Sequence, residues 1–101
     1  MIRVVVCGIA GRMGGRIAHL TLEGDGLDLS GGVEYVGSPD IGRDIGELIG
    51  TSHLGVHVVD NLETVIGSAD VVVAFTAPPD PTVEAAKIAG AAGKPMVVVE
   101  A

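Results

Sequence analysis

The sequence predicts an α/β fold, a parallel sheet with helices on both faces. Two observations carry that expectation. Short β-branched runs alternate with stretches of helical periodicity along the chain, and a glycine-rich turn joins the first run to the first helix. At 101 residues the chain is expected to form one domain, residues 1–101, with a thin core.

Ile2 to Cys7 is an apolar run ending at a glycine, the pattern of a strand buried on both faces. Arg12 to Glu23 places Met13, Ile17 and Leu20 at helical spacing, and Gly24 and Gly26 stop the helix. Leu27 to Val36 reads as a second strand, which completes one βαβ unit. Gly37 to Gly55 is a glycine-rich loop with one helical turn at Asp44 to Ile49, and Val56 to Val59 is a short strand. Asp60 and Glu63 have the spacing of a capping box for a brief helix ending near Gly67. Asp70 to Thr76 is the next buried strand. Asp80 as cap and Pro81 at the first helical position open a further helix, with Ala85, Ile88, Ala89 and Ala92 on its apolar face and Gly93 at its stop. Pro95 to Val99 is a last strand with an unprotected edge, so self-association through it is expected.

Composition excludes several functions. The net charge is −7 and no basic patch exists, which argues against nucleic acid and anionic membranes as partners. Tyr35 and Phe75 are the only aromatics, too few for base stacking. No apolar run reaches the ~18 residues of a membrane span, and the opening residues read as a strand, not a signal peptide. Cys7 stands alone, so no internal disulfide can form, which suits a cytoplasmic protein. Within its strand pattern Cys7 reads as a small core residue, and His19, His53 and His57 have no metal-ligand spacing with it.

The stretch Gly8-Ile9-Ala10-Gly11-Arg12-Met13-Gly14 carries the chemistry. Gly8 allows a sharp turn, Gly11 a close approach by a pyrophosphate, and Gly14 tight packing of the helix on the sheet. Backbone N–H groups at the helix start would face the phosphates, aided by the helix dipole. This makes anion binding compatible with an acidic chain. Glu34 follows Gly14 by twenty residues, at the end of the second strand, where a dinucleotide fold places an acid on the adenosine ribose. A glycine turn alone can be merely structural, and Glu34 alone can be a surface residue. Together with the strand-turn-helix order they point to a Rossmann-like dinucleotide-binding domain. The absence of Gly-Lys-Ser/Thr after the glycines excludes a mononucleotide P-loop.

These residues resemble the opening of the dihydrodipicolinate reductase (4-hydroxy-tetrahydrodipicolinate reductase) family. The likeness runs from Ile2-Arg3-Val4 and the glycine turn through Gly31-Gly32-Val33-Glu34, Gly42-Arg43-Asp44-Ile45-Gly46-Glu47-Leu48 and Phe75-Thr76-Ala77-Pro78 to Gly93-Lys94-Pro95-Met96-Val97-Val98. It implies a cofactor domain of an enzyme that reduces a cyclic imine precursor in the diaminopimelate route to lysine with NADH or NADPH. It further implies that Gly8 to Met13 border the pyrophosphate, Glu34 holds the ribose, and Phe75 and Thr76 lie on the nicotinamide side. Three departures bear on this. Tyr35 stands where the family often has arginine, which favours NADH over NADPH, with Arg12 able to compensate. Ala74 replaces the usual acid, and Val99-Glu100-Ala101 stand where the family runs into Gly-Thr-Thr-Gly. With the family's catalytic domain outside the sequence, the chain is expected to be a truncated or engineered cofactor domain without catalytic activity. Two other readings stay open: a stand-alone dinucleotide-binding or redox-sensing module, and a structural protein whose glycine loop is only a turn.

Overall fold

A computed structural model describes residues 1–76 and 82–100. The expected helix start at Asp80 and Pro81 falls outside the described residues. Five strands form one parallel sheet: β1 (Ile2–Cys7), β2 (Leu27–Val33), β3 (Val58–Val59), β4 (Val71–Thr76) and β5 (Met96–Glu100). Their order is β3-β2-β1-β4-β5. The chain thus moves outward from β1 in one direction, then crosses back to continue on its other side. Such a reversal opens a crevice at the carboxyl ends of the central strands.

Alternation along β1 divides the core. Val4 and Val6 face one side with Ile9, Ala18, Leu29, Ile45 and Val58. Val5 faces the other with Leu62, Ala69, Val72 and Ala89. Helix α1 (Arg12–Glu23) and the loop containing α2 (Ile45–Leu48) cover the first side. Two 3-10 turns (Leu62–Thr64 and Ile66–Ser68) and α3 (Thr82–Ala91) cover the second. Arg3 ties the starts of β1 and β4 together. Its backbone N–H and Nε donate to Asp70 Oδ2 at 2.8 and 3.2 Å, and Nη2 donates to Oδ1 at 3.2 Å.

Several local expectations are corrected. Met13 and Leu20 are 42% and 55% exposed, and α1 instead buries Gly14, Ala18 and Thr21. Those residues also recur at helical spacing, one position round the helix from the predicted stripe. Their small side chains let the helix axis approach the sheet, while Ile17 is half-buried at the margin. The second strand stops at Val33, short of Val36, because β3 offers it only two paired residues and the chain turns away at Tyr35 to Ser38. β3 is shorter than expected because Val56 and His57 pair instead with Ile45 and Asp44. Asn61, not Asp60, caps the turn that follows, its Oδ1 accepting from Glu63 N–H at 3.0 Å. Ala92 lies exposed just beyond α3, and Gly93 turns the chain away from the helix with a φ of +69°.

The irregular segment between β2 and β3 is held by Asp44. Its side chain is buried and accepts four backbone N–H bonds: Oδ1 from Gly46 at 2.8 Å, Glu47 at 3.3 Å and Leu54 at 3.0 Å, and Oδ2 from Gly55 at 2.8 Å. One carboxylate thus caps α2 and fastens the returning chain to it. The Leu54 N–H does most to lower its pKa, to about 2, against burial, with Gly55, Glu47 and Gly46 adding to the effect. A carboxylate lowered in the folded state stabilises the fold above its unfolded value near 3.8 and loses that effect as pH falls toward about 2. Replacing Asp44→Ala should therefore lower the midpoint of thermal unfolding at pH 7 by roughly 5–10 °C. The gap from the parent should narrow as pH drops through that acid window. Circular dichroism melts of both proteins across pH check it, and a gap independent of pH would contradict the charged-staple account.

Candidate functional site

The site forms where β1 and β2 end side by side. Gly8 leaves β1 with a φ of +84°, a conformation open to glycine and costly for other residues. Its N–H and that of Ile9 both donate to the Val33 carbonyl, at 2.8 and 3.3 Å. The Gly11 N–H then returns to the Gly8 carbonyl at 3.0 Å and closes the turn. A Cβ at Gly14 would land on that same carbonyl, so only glycine lets α1 begin this close to the strand. The third glycine thus seats the helix on the turn itself, a tighter constraint than the helix-on-sheet contact expected from sequence.

Gly11 caps α1 without a side chain, and the first turn holds no acid. The first intrahelical bond runs from Gly15 N–H to Gly11 O at 2.9 Å, which leaves the N–H groups of Arg12, Met13 and Gly14 ahead of the ladder. Ala10, Gly11, Arg12 and Met13 are exposed. Ile9 is the exception among the expected border residues. Its side chain is 0% exposed, and a Cβ on Gly32 would press against it. Ile9 therefore anchors the loop in the core and presents no side chain to a ligand.

Glu34 is the first residue beyond β2. Its Oε2 accepts from the Ala10 N–H at 2.8 Å and its Oε1 from the Tyr35 N–H at 3.3 Å. Each carboxylate oxygen keeps a lone pair directed elsewhere, enough for two further donors. Tyr35 is 66% exposed beside it. The turn, the helix start and Glu34 are thus contiguous, and they fit a dinucleotide: N–H donors and positive dipole for phosphates, and an acceptor pair for a diol. Phe75 and Thr76 end β4 two strands away from Glu34, across β1; their side chains and residues 77–81 are outside the description. Ala74, where an acid was the family expectation, is buried beside Cys7 in the strand register.

Cys7 ends β1 directly before the turn and is half-buried. Burial pushes its thiol up to about 11, and the nearby Glu34 charge adds to the shift. Two of the histidines make local contacts. His19 Nε2 lies 2.7 Å from the Ile49 carbonyl, and His53 Nε2 lies 3.1 Å from Glu47 Oε2. Sequence reasoning named the glycines and the acid that the structure brings together. It missed the Val33 carbonyl and the Ile9 anchor, because a backbone acceptor has no residue signature and an isoleucine in a loop signals nothing until its pocket is known. The Asp44 staple had a signal, the Asp44-x-x-Glu47 spacing at a helix start.

A sheet that reverses at β1, a glycine turn into an uncapped helix and an acid at the end of β2 define a Rossmann-like domain. The chain belongs to the dihydrodipicolinate reductase N-terminal family, which matches residues 2–99. It is 44% identical over 98 residues to a 4-hydroxy-tetrahydrodipicolinate reductase of Syntrophobacter fumaroxidans and 47% identical to one of Anaeromyxobacter dehalogenans. In both cases the match takes in 97% of this chain and 36% of the relative, so the chain spans about a third of their length. Among solved structures, an amine dehydrogenase from Mycobacterium smegmatis superposes with a TM-score of 0.81 at 31% identity, over 96% of this chain and 29% of that one.

The shift in Cys7 has a direct chemical consequence. The thiolate is the reactive form, so a thiol raised from 9.0 to about 11 should be alkylated by iodoacetamide at pH 8 some ten- to hundredfold more slowly than an exposed peptide cysteine. Stopped alkylation with mass spectrometry measures this. A rate equal to the free peptide's would mean that the end of β1 is open to solvent.

Proposed function

We propose that this chain is the NAD(P)H-binding domain of a 4-hydroxy-tetrahydrodipicolinate reductase and that it grips cofactor without catalysing reduction by itself. The observation that carries the reading is the uncapped start of α1 beside the Glu34 carboxylate, at the carboxyl ends of β1 and β2. In this reading the pyrophosphate rests on the N–H groups of Arg12, Met13 and Gly14, with the backbone of Gly8 to Gly11 shaping the approach. Glu34 accepts from the adenosine ribose, Tyr35 lies alongside, and Phe75 and Thr76 border the nicotinamide. A bound reduced nicotinamide would supply a hydride for the cyclic imine. Reduction also needs a general acid and a substrate clamp, which we assign to the part of the longer relatives that this chain does not match.

NADH should bind weakly, since part of the cofactor cleft is assigned to that remainder. Gly11→Val should abolish binding, because a branched side chain would occupy the phosphate approach. The Cβ itself would sit 3.3 Å from the Gly8 carbonyl, tight but relieved by a small shift, so the fold should persist. Calorimetric titration with a parallel thermal melt separates the two effects, and undiminished binding by a folded variant would refute the phosphate cradle. The same purified chain should show no substrate-dependent oxidation of NADH in a steady-state assay.

NADH should be preferred to NADPH. A 2′-phosphate would bring negative charge against Glu34, and exposed Tyr35 supplies no cation to offset it. Tyr35→Arg would add a guanidinium fork suited to phosphate oxygens. The NADPH-to-NADH affinity ratio should then rise by about tenfold. Paired titrations at one ionic strength test it, and an unchanged ratio would mean that position 35 does not face the ribose.

A further inference from the structure

Glu34 has a second role that the ribose contact does not explain. Among the described residues it supplies the only side-chain bond to the backbone of residues 8–14, through the Ala10 N–H at 2.8 Å. Among the described residues the rest of the turn is held by Ile9 and by backbone bonds, with the Gly11 N–H closing it on the Gly8 carbonyl at 3.0 Å. Ile9 is buried, and the N–H groups of Gly8 and Ile9 both point back to the Val33 carbonyl. Beyond Ile9 the chain is exposed until Gly14 reaches the strand end. Ala10 is where it leaves its anchors, and the bond from Glu34 sets the orientation of the Ile9–Ala10 peptide. That orientation determines how the chain enters α1, and so where the N–H groups of Arg12, Met13 and Gly14 point.

We infer that Glu34 is a positioning residue for the phosphate-binding turn, acting through the Ala10 N–H, in addition to accepting from the ribose. The inference rests on the dinucleotide reading above. The geometry permits both roles at once. The Ala10 and Tyr35 bonds use one lone pair on each oxygen and leave one on each for a diol. A charge-assisted bond of this length holds the turn before ligand arrives, so less ordering is needed when it binds.

Competing accounts predict different signs. If Glu34 served the ribose alone, its loss would weaken adenosine and ADP equally. If its charge merely repelled phosphate, its loss would favour ADP over adenosine. If it positions the turn, its loss must weaken ADP more than adenosine. The test titrates the parent chain, Glu34→Ala, Glu34→Gln and Glu34→Asp with both ligands by nuclear magnetic resonance. The parent should prefer ADP. Glu34→Ala should cut that preference by about tenfold, the scale of one charge-assisted bond. Glu34→Gln keeps an acceptor of the same reach and should restore most of it. Glu34→Asp keeps the charge but falls short of Ala10, and should behave like the alanine variant. In ligand-free protein the Ala10 amide should exchange faster in the Ala and Asp variants than in parent and Gln. If the parent does not prefer ADP, the phosphate cradle fails and the inference falls with it. If the parent prefers ADP and Glu34→Ala or Glu34→Asp keeps the same preference, the cradle stands and the positioning role is overturned.

Discussion

The close seating of α1 on the turn that ends β1 is the constraint on which the rest of the structure depends. The Gly14 α-carbon lies so near the Gly8 carbonyl that no Cβ fits between them. That contact sets the helix direction and turns Ala18 and Thr21 onto the sheet. It also places the helix start over the carboxyl end of β1, beside the end of β2. Tight packing of this kind tolerates little volume change, since interiors accommodate added atoms only by shifting their neighbours. The small-residue face of α1 follows from it. Once the first turn touches the strand, larger residues such as Met13 and Leu20 must lie off the contact face.

The sheet explains why this arrangement is open on top and closed below. β1 has neighbours on both sides, β2 and β4, and gives one face to each core through alternate valines. It is the central strand of the sheet, so the loop that leaves its end hangs from a strand paired on both edges. Ile9 extends that rigidity one residue into the turn by filling the space that Gly32 leaves empty. Beyond it, among the described residues, the loop is exposed, and Glu34 provides a polar contact to it. Asp44 does a comparable task in the segment between β2 and β3, where four backbone donors converge on one carboxylate. In both places an acid compensates for missing ladder bonds, because short loops leave N–H groups that need acceptors.

The sequence made strands, helices and the glycine turn legible because those features rest on local periodicity and on backbone freedom. Fine boundaries were less legible. Met13, Ile17 and Leu20 made as good a helical stripe as Gly14, Ala18 and Thr21, and hydrophobicity alone favoured the wrong one; what decides is the steric contact of Gly14 with the Gly8 carbonyl, which no composition rule reveals. The end of β2 at Val33 depended on the length of β3, a tertiary fact. Asp60 and Asn61 are both good caps, and it is Asn61 whose side chain accepts from the Glu63 N–H. The candidate site was legible as a set of residues, from the glycine spacing and the acid that follows it. The bond from Glu34 to Ala10 was not, because it exists only when β1 and β2 end at the same height.

The acidic balance of the chain is compatible with the anion site proposed at the start of α1. The net charge of −7 acts over the whole surface, but ions screen it beyond about 8 Å at physiological salt. What a phosphate meets at close range is different. Arg3 is engaged by Asp70 and Arg43 by Asp40, so those cations are neutralised where they stand. Arg12 and Arg16 lie one turn apart on the first half of α1, both exposed, with no acid in the helix's first turn. The helix dipole adds a partial positive charge at the same end. Among the described residues Glu34 is the one carboxylate bonded to the turn, and two backbone N–H groups already engage it. Positive groups are therefore gathered at the start of α1 within an acidic domain. Beyond the screening length the net charge counts for little, and at close range these fixed donors decide how an anion at the turn would fare.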